Sequence, residues 1–248
     1  DPPVLATVAR GSSDHAAGYL KYAVELAAGV PVASVGPSVA SVYGRSLRLG
    51  GAACLGMSQS GASPDIVAMM RAARRAGALT LALTNTAGAP IARAAEFCLP
   101  LHAGPERSVA ATKSFTGSVL AGLALLAEWQ QDAALSAAVA ALPAAFAAVL
   151  AQDWGGLLQR VGGGASGYVL GRGPGFPVAA EMALKLKETC GLHAEAHSAA
   201  EVLHGPAALV RARFPVLVLA VHDAARAHVL ATAARLAGQG ADVFVTGA

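Results

Sequence analysis

The sequence predicts an α/β protein of two doubly wound domains, each a three-layer arrangement of parallel sheet flanked by helices. Three observations carry that expectation. Short apolar runs alternate with longer stretches of helical periodicity, as strands joined by crossover helices do. The 248 residues are 55% hydrophobic and only 13% charged, enough to bury a sizeable core and unlike a disordered chain. The pattern also restarts: a strand ending in Arg10-Gly11 precedes a helix, and later a strand ending in Arg172-Gly173 does the same, as a duplication would produce.

In chain order, Val4 to Ala9 reads as a strand and Asp14 to Ala28 as a helix. A short strand over Val32 to Val35 precedes a helix over Ser38 to Leu47. Ala52 to Met57 is an apolar strand, and Pro64 suits the first turn of a helix that runs to Ala76. Leu79 to Leu83 is a strand, Ile91 to Ala94 a short helix, Phe97 to Leu99 a short strand, and Thr112 to Gln130 a long helix. The second half offers strands at Gly167 to Leu170, Val216 to Val221 and Asp242 to Thr246, with helices at Pro177 to Cys190 and Ala224 to Ala237. The expected division is a first domain over 1–130, a helical connector over 131–164 ending in Gly162-Gly163-Gly164, and a second domain over 165–248 that stops early, with fewer strands.

Composition narrows the function. A net charge of +3 with dispersed lysines and arginines offers no basic stripe for nucleic acid. The apolar runs Val119 to Ala127 and Ala133 to Ala151 are interrupted by Glu128, Asp132 and Pro143, and read as alanine-rich core helices rather than membrane spans. No signal peptide opens the chain at Asp1-Pro2-Pro3. Cys54, Cys98 and Cys190 form no CxxC pair. They are expected to be reduced and structural, Cys54 and Cys98 as small hydrophobes in apolar strands, in a cytoplasmic protein.

Two stretches carry candidate chemistry. Ser58-Gln59-Ser60-Gly61-Ala62-Ser63 joins a buried strand to a helix. Free N–H groups at a helix start, together with hydroxyls and an amide, suit a monophosphate. Without GxxxxGK[ST], the loop is not a nucleotide P-loop. An ordinary turn with Ser63 as helix cap accounts for the same residues equally well. Ser12 and Ser13, in a similar position after the first strand, could serve the same crevice or cap their own helix.

The second stretch begins on the helix Pro177 to Cys190. Glu181, Lys185 and Glu188 fall on one face of this largely apolar segment, with Lys187 off that face, and buried charge is costly unless paired. A surface pair of Glu181 with Lys185 explains two of them, and Glu188 could be a solvated helix end. Next come His193, Glu195, His197, Glu201 and His204 in what reads as a loop. HExxH is absent and Glu201-x-x-His204 stands alone, so no metal or other cofactor is expected. His193 and His197 read as solvated. His204, before Gly205-Pro206 at a rigid turn, is a candidate proton donor or acceptor.

These segments together resemble the tandem sugar-isomerase (SIS) domain family. The resemblance spans nearly the whole chain. It rests on Arg10-Gly11-Ser12-Ser13, Ser58-Gln59-Ser60-Gly61, Ala110-Ala111-Thr112-Lys113-Ser114-Phe115, Ala183-Leu184-Lys185-Leu186-Lys187-Glu188, His193-Ala194-Glu195-Ala196 and Glu201-Val202-Leu203-His204-Gly205-Pro206. It is strongest to the isomerase half of glucosamine-6-phosphate synthase and to glucosamine-6-phosphate deaminases that lack a glutaminase domain. The resemblance implies that Ser58, Gln59, Ser60 and Ser63, with Ser12 and Ser13, hold a sugar phosphate. It implies that Glu188 moves a proton between C1 and C2 of the open-chain sugar, beside Glu181 and Lys185. It assigns ring opening to His204, contributed by the other subunit of a homodimer.

Departures from the family pattern are Ala111, where the synthases have a serine, and a C-terminal catalytic lysine with no counterpart in these residues. With no nucleophilic N-terminal cysteine, the expected reaction is glucosamine 6-phosphate to fructose 6-phosphate plus ammonia. The alternatives are a deglycase acting on a sugar phosphate–amino acid adduct and a non-catalytic sugar-phosphate sensor.

Overall fold

A computed structural model describes residues 1–161 and 166–246. The chain divides into two compact units, Asp1–Leu142 and Pro143–Ala248. The glycine run 162–164 expected to end the connector lies outside the described residues.

The first unit holds β1 (Leu5–Val8), α1 (Ser12–Ala28), β2 (Val32–Ser34), α2 (Ser38–Ser41), β3 (Ala53–Ser58), α3 (Pro64–Arg75), β4 (Leu79–Thr84), α4 (Pro90–Ala94), β5 (Phe97–Pro100) and α5 (Lys113–Gln130). Its sheet is wholly parallel, in the order β2-β1-β3-β4-β5. Side chains alternate between two covered faces. Ala6, Val8 and Cys54 pack with Ile66, Met70 and Ile91 from α3 and α4. Leu5, Leu55 and Met57 pack with Leu20 of α1 and Leu126 of α5. Strands buried on both faces explain the nearly continuous apolar runs that made them legible.

In the second unit, α7 (Gly155–Val161) precedes β6 (Ser166–Gly171), α8 (Gly175–Cys190), β7 (His193–Ser198), β8 (Pro215–Leu219), α9 (Arg226–Gly238) and β9 (Asp242–Thr246). The sheet, again parallel, runs β7-β6-β8-β9. Tyr168, Leu170, Val216 and Val218 meet Val229 and Leu236 of α9 on one face. Val169 and Leu217 meet Ala179 and Ala183 of α8 on the other. The first four strands of both sheets thus share the order second-first-third-fourth. Gly11 and Gly173, which follow the first strand of each, take nearly the same left-handed φ, 55° and 56°. The duplication read from Arg10-Gly11 and Arg172-Gly173 extends to topology.

Four expectations need correction. His193–Ser198 is not a loop but strand β7, parallel to β6. The helix expected from Ser38 to Leu47 is a single turn, Ser38–Ser41. Serine and valine are weak helix formers, and the Ser41 hydroxyl bonds back to the Pro37 carbonyl at 3.2 Å. Cys98 is exposed on β5, an edge strand that its neighbours cover poorly, while Cys54 is buried as expected. The alanine-rich helix α6 (Ala133–Leu150), which crosses from one unit to the other, buries none of its residues and so is not a core helix. Among the described residues it is the one helix long and apolar enough, by length and composition, to cross a membrane.

Helices α1 and α5 approach closely because α5 presents Gly122 to Leu20. A Cβ added at Gly122 would lie 2.2 Å from Leu20 Cδ1 and 2.8 Å from its Cγ. Gly122→Val is therefore expected to destabilise the protein by about 1–3 kcal/mol through overpacking. Leu20→Ala in the same chain should recover part of the loss. Urea denaturation of the two variants checks both.

Candidate functional site

The loop after β3 is built by hydrogen bonds between its backbone and both hydroxyl and backbone groups. Ser58, buried at the strand end, accepts the Gly61 N–H on its Oγ at 3.1 Å, and the Ser60 hydroxyl accepts the Ala62 N–H at 3.3 Å. The Gln59 carbonyl accepts from the Asn85 N–H at 3.1 Å and from the hydroxyls of Thr84 and Thr86 at 3.3 and 3.4 Å. The Gly61 carbonyl accepts the Ile91 N–H at 2.9 Å, and Gly61 has φ +61°. A Cβ there would sit 2.5 Å from Ala89 Cβ and 2.8 Å from Thr84 Oγ1, so the close approach requires glycine. Ser63 occupies the cap position of α3, yet its side chain makes no capping bond. The capped-turn explanation therefore does not account for its hydroxyl.

Strand order brings a second loop beside this one. β1 and β3 are neighbours, with Val8 opposite Gly56, and the chain leaves them on opposite sides of the sheet order. That is the topological switch point at which open α/β sheets form their ligand crevice. Arg10, just after β1, makes an ion pair with Asp65 in the first turn of α3. Ser12 and Ser13 are half-buried at the start of α1, which likewise has no side-chain cap.

Sequence reasoning passed over Thr84-Asn85-Thr86, which clamps the serine loop from the end of β4. Its signal was a run of polar, hydroxyl-bearing residues directly after an apolar strand. It also passed over Glu106, whose carboxylate accepts the Ser114 N–H and hydroxyl, both at 2.9 Å, and so caps α5 from outside the helix. Ala111 is half-buried just before that helix.

In the second unit, α8 aligns its charged residues as the spacing predicted. Lys185 Nζ lies 3.4 Å from Glu181 Oε1 and 2.5 Å from Glu188 Oε2. Glu181 is buried, at 5% exposure, where a lone carboxylate would be costly; the ammonium offsets that cost. The Glu188 side chain is 31% exposed, open to solvent beside the helix end. One ammonium thus holds two acids of different accessibility, the outer of which can exchange a proton with a bound molecule. His204 is exposed in the turn before Pro206, its N–H bonded to the Glu201 carbonyl at 2.8 Å. His193 is exposed on β7. His197 is half-buried and packs edge-on against Tyr168, so it is not the solvated loop residue expected. No group of three or more His, Cys, Asp or Glu side chains suited to a metal occurs among the described residues.

A doubly wound parallel sheet with hydroxyls and a helix start at its switch point defines the class of the first unit as open α/β. Comparison makes the assignment particular. The SIS domain family model matches residues 4–128 and 166–246, and the chain belongs to that family. A glutamine–fructose-6-phosphate aminotransferase (isomerizing) of Halobacterium salinarum is 38% identical over 97% of this chain, which spans 42% of that relative. A crystal structure of a candidate phosphosugar isomerase from Silicibacter pomeroyi is 55% identical, with a TM-score of 0.96 over 99% of this chain and 75% of that one. The C-terminal domain of glucosamine-fructose-6-phosphate aminotransferase from Francisella tularensis is 26% identical, with a TM-score of 0.85 over 98% of this chain and 72% of that one.

Gly61→Ala is expected to push the serine loop off Thr84 and Ala89 and to cost about 1–3 kcal/mol. A thermal melt, together with amide exchange over residues 58–63, checks it. Glu106 supplies a pH signature. Burial pushes its carboxyl up, but hydrogen bonds from Ser114 and Thr112 and the Lys113 charge outweigh that and leave it below the usual value of 4.5. Its stabilisation is therefore complete above that value and is lost as pH falls through the lowered folded one. The stability difference between wild type and Glu106→Gln should shrink over the same acid range, measured by denaturation at a series of pH values.

Proposed function

We propose that this chain is a cytoplasmic enzyme of phosphorylated amino sugars, converting glucosamine 6-phosphate and water to fructose 6-phosphate and ammonia. The observation that carries the reading is Glu188: an accessible carboxylate tethered to an ammonium on a largely apolar helix, within a segment matched by the SIS family. A purely structural pair would be complete with Glu181 and Lys185. The relative from Halobacterium, whose name joins an amino group to fructose 6-phosphate, supports an amino-sugar phosphate as substrate. The three free thiols suit a reducing compartment.

In this reading the phosphate rests on Ser58, Gln59, Ser60 and Ser63, with Ser12 and Ser13 beside them. Neutral hydroxyls and N–H groups at a helix start hold the anion without a dedicated cation. His204, from the second subunit of a homodimer, moves the proton that opens the sugar ring. Glu188 then takes the proton from C2 of the open-chain aldehyde while O1 gains one, giving an enolamine. Glu188 returns its proton to C1 and the nitrogen gives one up, replacing the one O1 gained, so the product is an imine at C2. Water adds there and ammonia leaves, so atoms and charge balance.

Purified protein is expected to release ammonia from glucosamine 6-phosphate. Glu188→Gln should lower kcat by about 10² to 10⁴ while the sugar phosphate still binds. Folded protein that yields no ammonia from amino-sugar phosphates, or a Glu188→Gln variant of normal rate, would sink the reading. Mixing the impaired Glu188→Gln and His204→Ala variants should raise activity above that of either alone, because a mixed dimer holds one intact site. No recovery after subunit exchange would place His204 in its own subunit's site.

A further inference from the structure

The His204 side chain is exposed, so its direction depends on the backbone of the turn that carries it. That turn is fixed at both ends. At its start, the Ala199 N–H donates to the Gly171 carbonyl at 2.9 Å, and the Thr232 hydroxyl of α9 donates to the Ala199 carbonyl at 3.0 Å. Midway, Val202 is fully buried in the core beneath α9. Beyond His204 the chain must reverse through Gly205, at φ 136°, before a single turn of 3-10 helix over Pro206–Leu209. The side-chain tether on this far side is the Tyr168 hydroxyl, which donates to the Pro206 carbonyl at 2.8 Å.

Tyr168 is well placed to act as a fixed post. It lies on β6, 2% exposed, with its ring held edge-on between His197 at 4.7 Å and Phe214 at 4.9 Å. Burial, with the Glu195 charge as a lesser cause, pushes its hydroxyl's pKa above the usual tyrosine value, so the group stays protonated and remains a donor. A hydrogen bond from a buried ring packed against two others restrains the carbonyl two residues past His204. We propose that Tyr168 is a positioning residue, holding the 201–207 turn so that the His204 ring meets the sugar. This rests on the role given above to His204. Tyr168 touches no substrate in the proposal and acts only through the turn.

The test is a cycle of wild type, Tyr168→Phe, His204→Ala and the double variant, all as the full chain. The phenylalanine keeps the ring packing and removes one hydrogen bond. Tyr168→Phe is expected to lower kcat for glucosamine 6-phosphate about 10- to 100-fold, with KM changed less than about twofold, and to speed amide exchange over residues 201–207. In the His204→Ala background it should cost nothing further, because residues acting through one another are not additive. An equal loss in both backgrounds would make Tyr168 merely structural and overturn the proposal. Unchanged exchange in Tyr168→Phe would overturn the tether while His204 keeps its role. Normal turnover by His204→Ala would instead remove the role of His204, and the positioning role with it.

Discussion

In a parallel sheet every strand finishes on the same edge, and each connection must cross a face to begin the next. The rest of this molecule depends on that constraint. It gathers residues 10–13, 58–63 and 84–86, far apart in sequence, at the carboxyl ends of β1, β3 and β4. The gathering is visible as hydrogen bonds: the Gln59 carbonyl takes three donors from Thr84, Asn85 and Thr86. Because these hydroxyls and backbone groups satisfy the loop, it holds its shape without a Ser63 cap. Of the side chains proposed to receive phosphate, Ser58 and Ser60 also build the turn, their oxygens accepting within it.

The repeated strand order makes α1 and α8 counterparts, each the helix that follows the first strand of its sheet. Both carry a lysine paired with a glutamate, but the pairs do different work. Lys21 Nζ donates to Glu25 at 2.7 Å and to the Val32 carbonyl at 2.8 Å, and Glu25 accepts the Val32 N–H at 3.1 Å. That acid and base are spent closing the start of edge strand β2, and the hydrogen bond from Lys21 is the main cause of a lowered Glu25 pKa. On α8, Lys185 turns to two acids on its own helix, leaving Glu188 at the helix end. Counterpart helices thus carry a structural clasp in one unit and the proposed proton carrier in the other.

Much of this was legible in the sequence, and the exceptions have physical causes. Strands buried on both faces announce themselves as apolar runs, so β1, β3, β4, β6 and β8 were readable. β7 was hidden because His193-Ala194-Glu195-Ala196-His197 alternates polar residues with small alanines rather than with valine or isoleucine; the alternation itself was the clue. Helix α6 misled because composition reports that a segment is apolar and not whether the same chain covers it. The alignment of Glu181, Lys185 and Glu188 followed from helical spacing alone. The bond from Tyr168 to Pro206 could not be read, because nothing local links residues 38 positions apart.

Charge in the serine loop sharpens what kind of grip it offers. Arg10 is the cation beside it, and Arg10 already faces Asp65. That pair is exposed, with side-chain accessibilities of 55% and 32%, so its worth in stability is small. Its effect is geometric: it links the end of β1 to the first turn of α3 across the switch point. A ligand phosphate arriving there would meet N–H groups and hydroxyls while the nearby positive charge stays committed. Recognition would then depend on the number and direction of hydrogen bonds more than on long-range attraction, which selects for the shape of a monophosphate over any anion of the same charge.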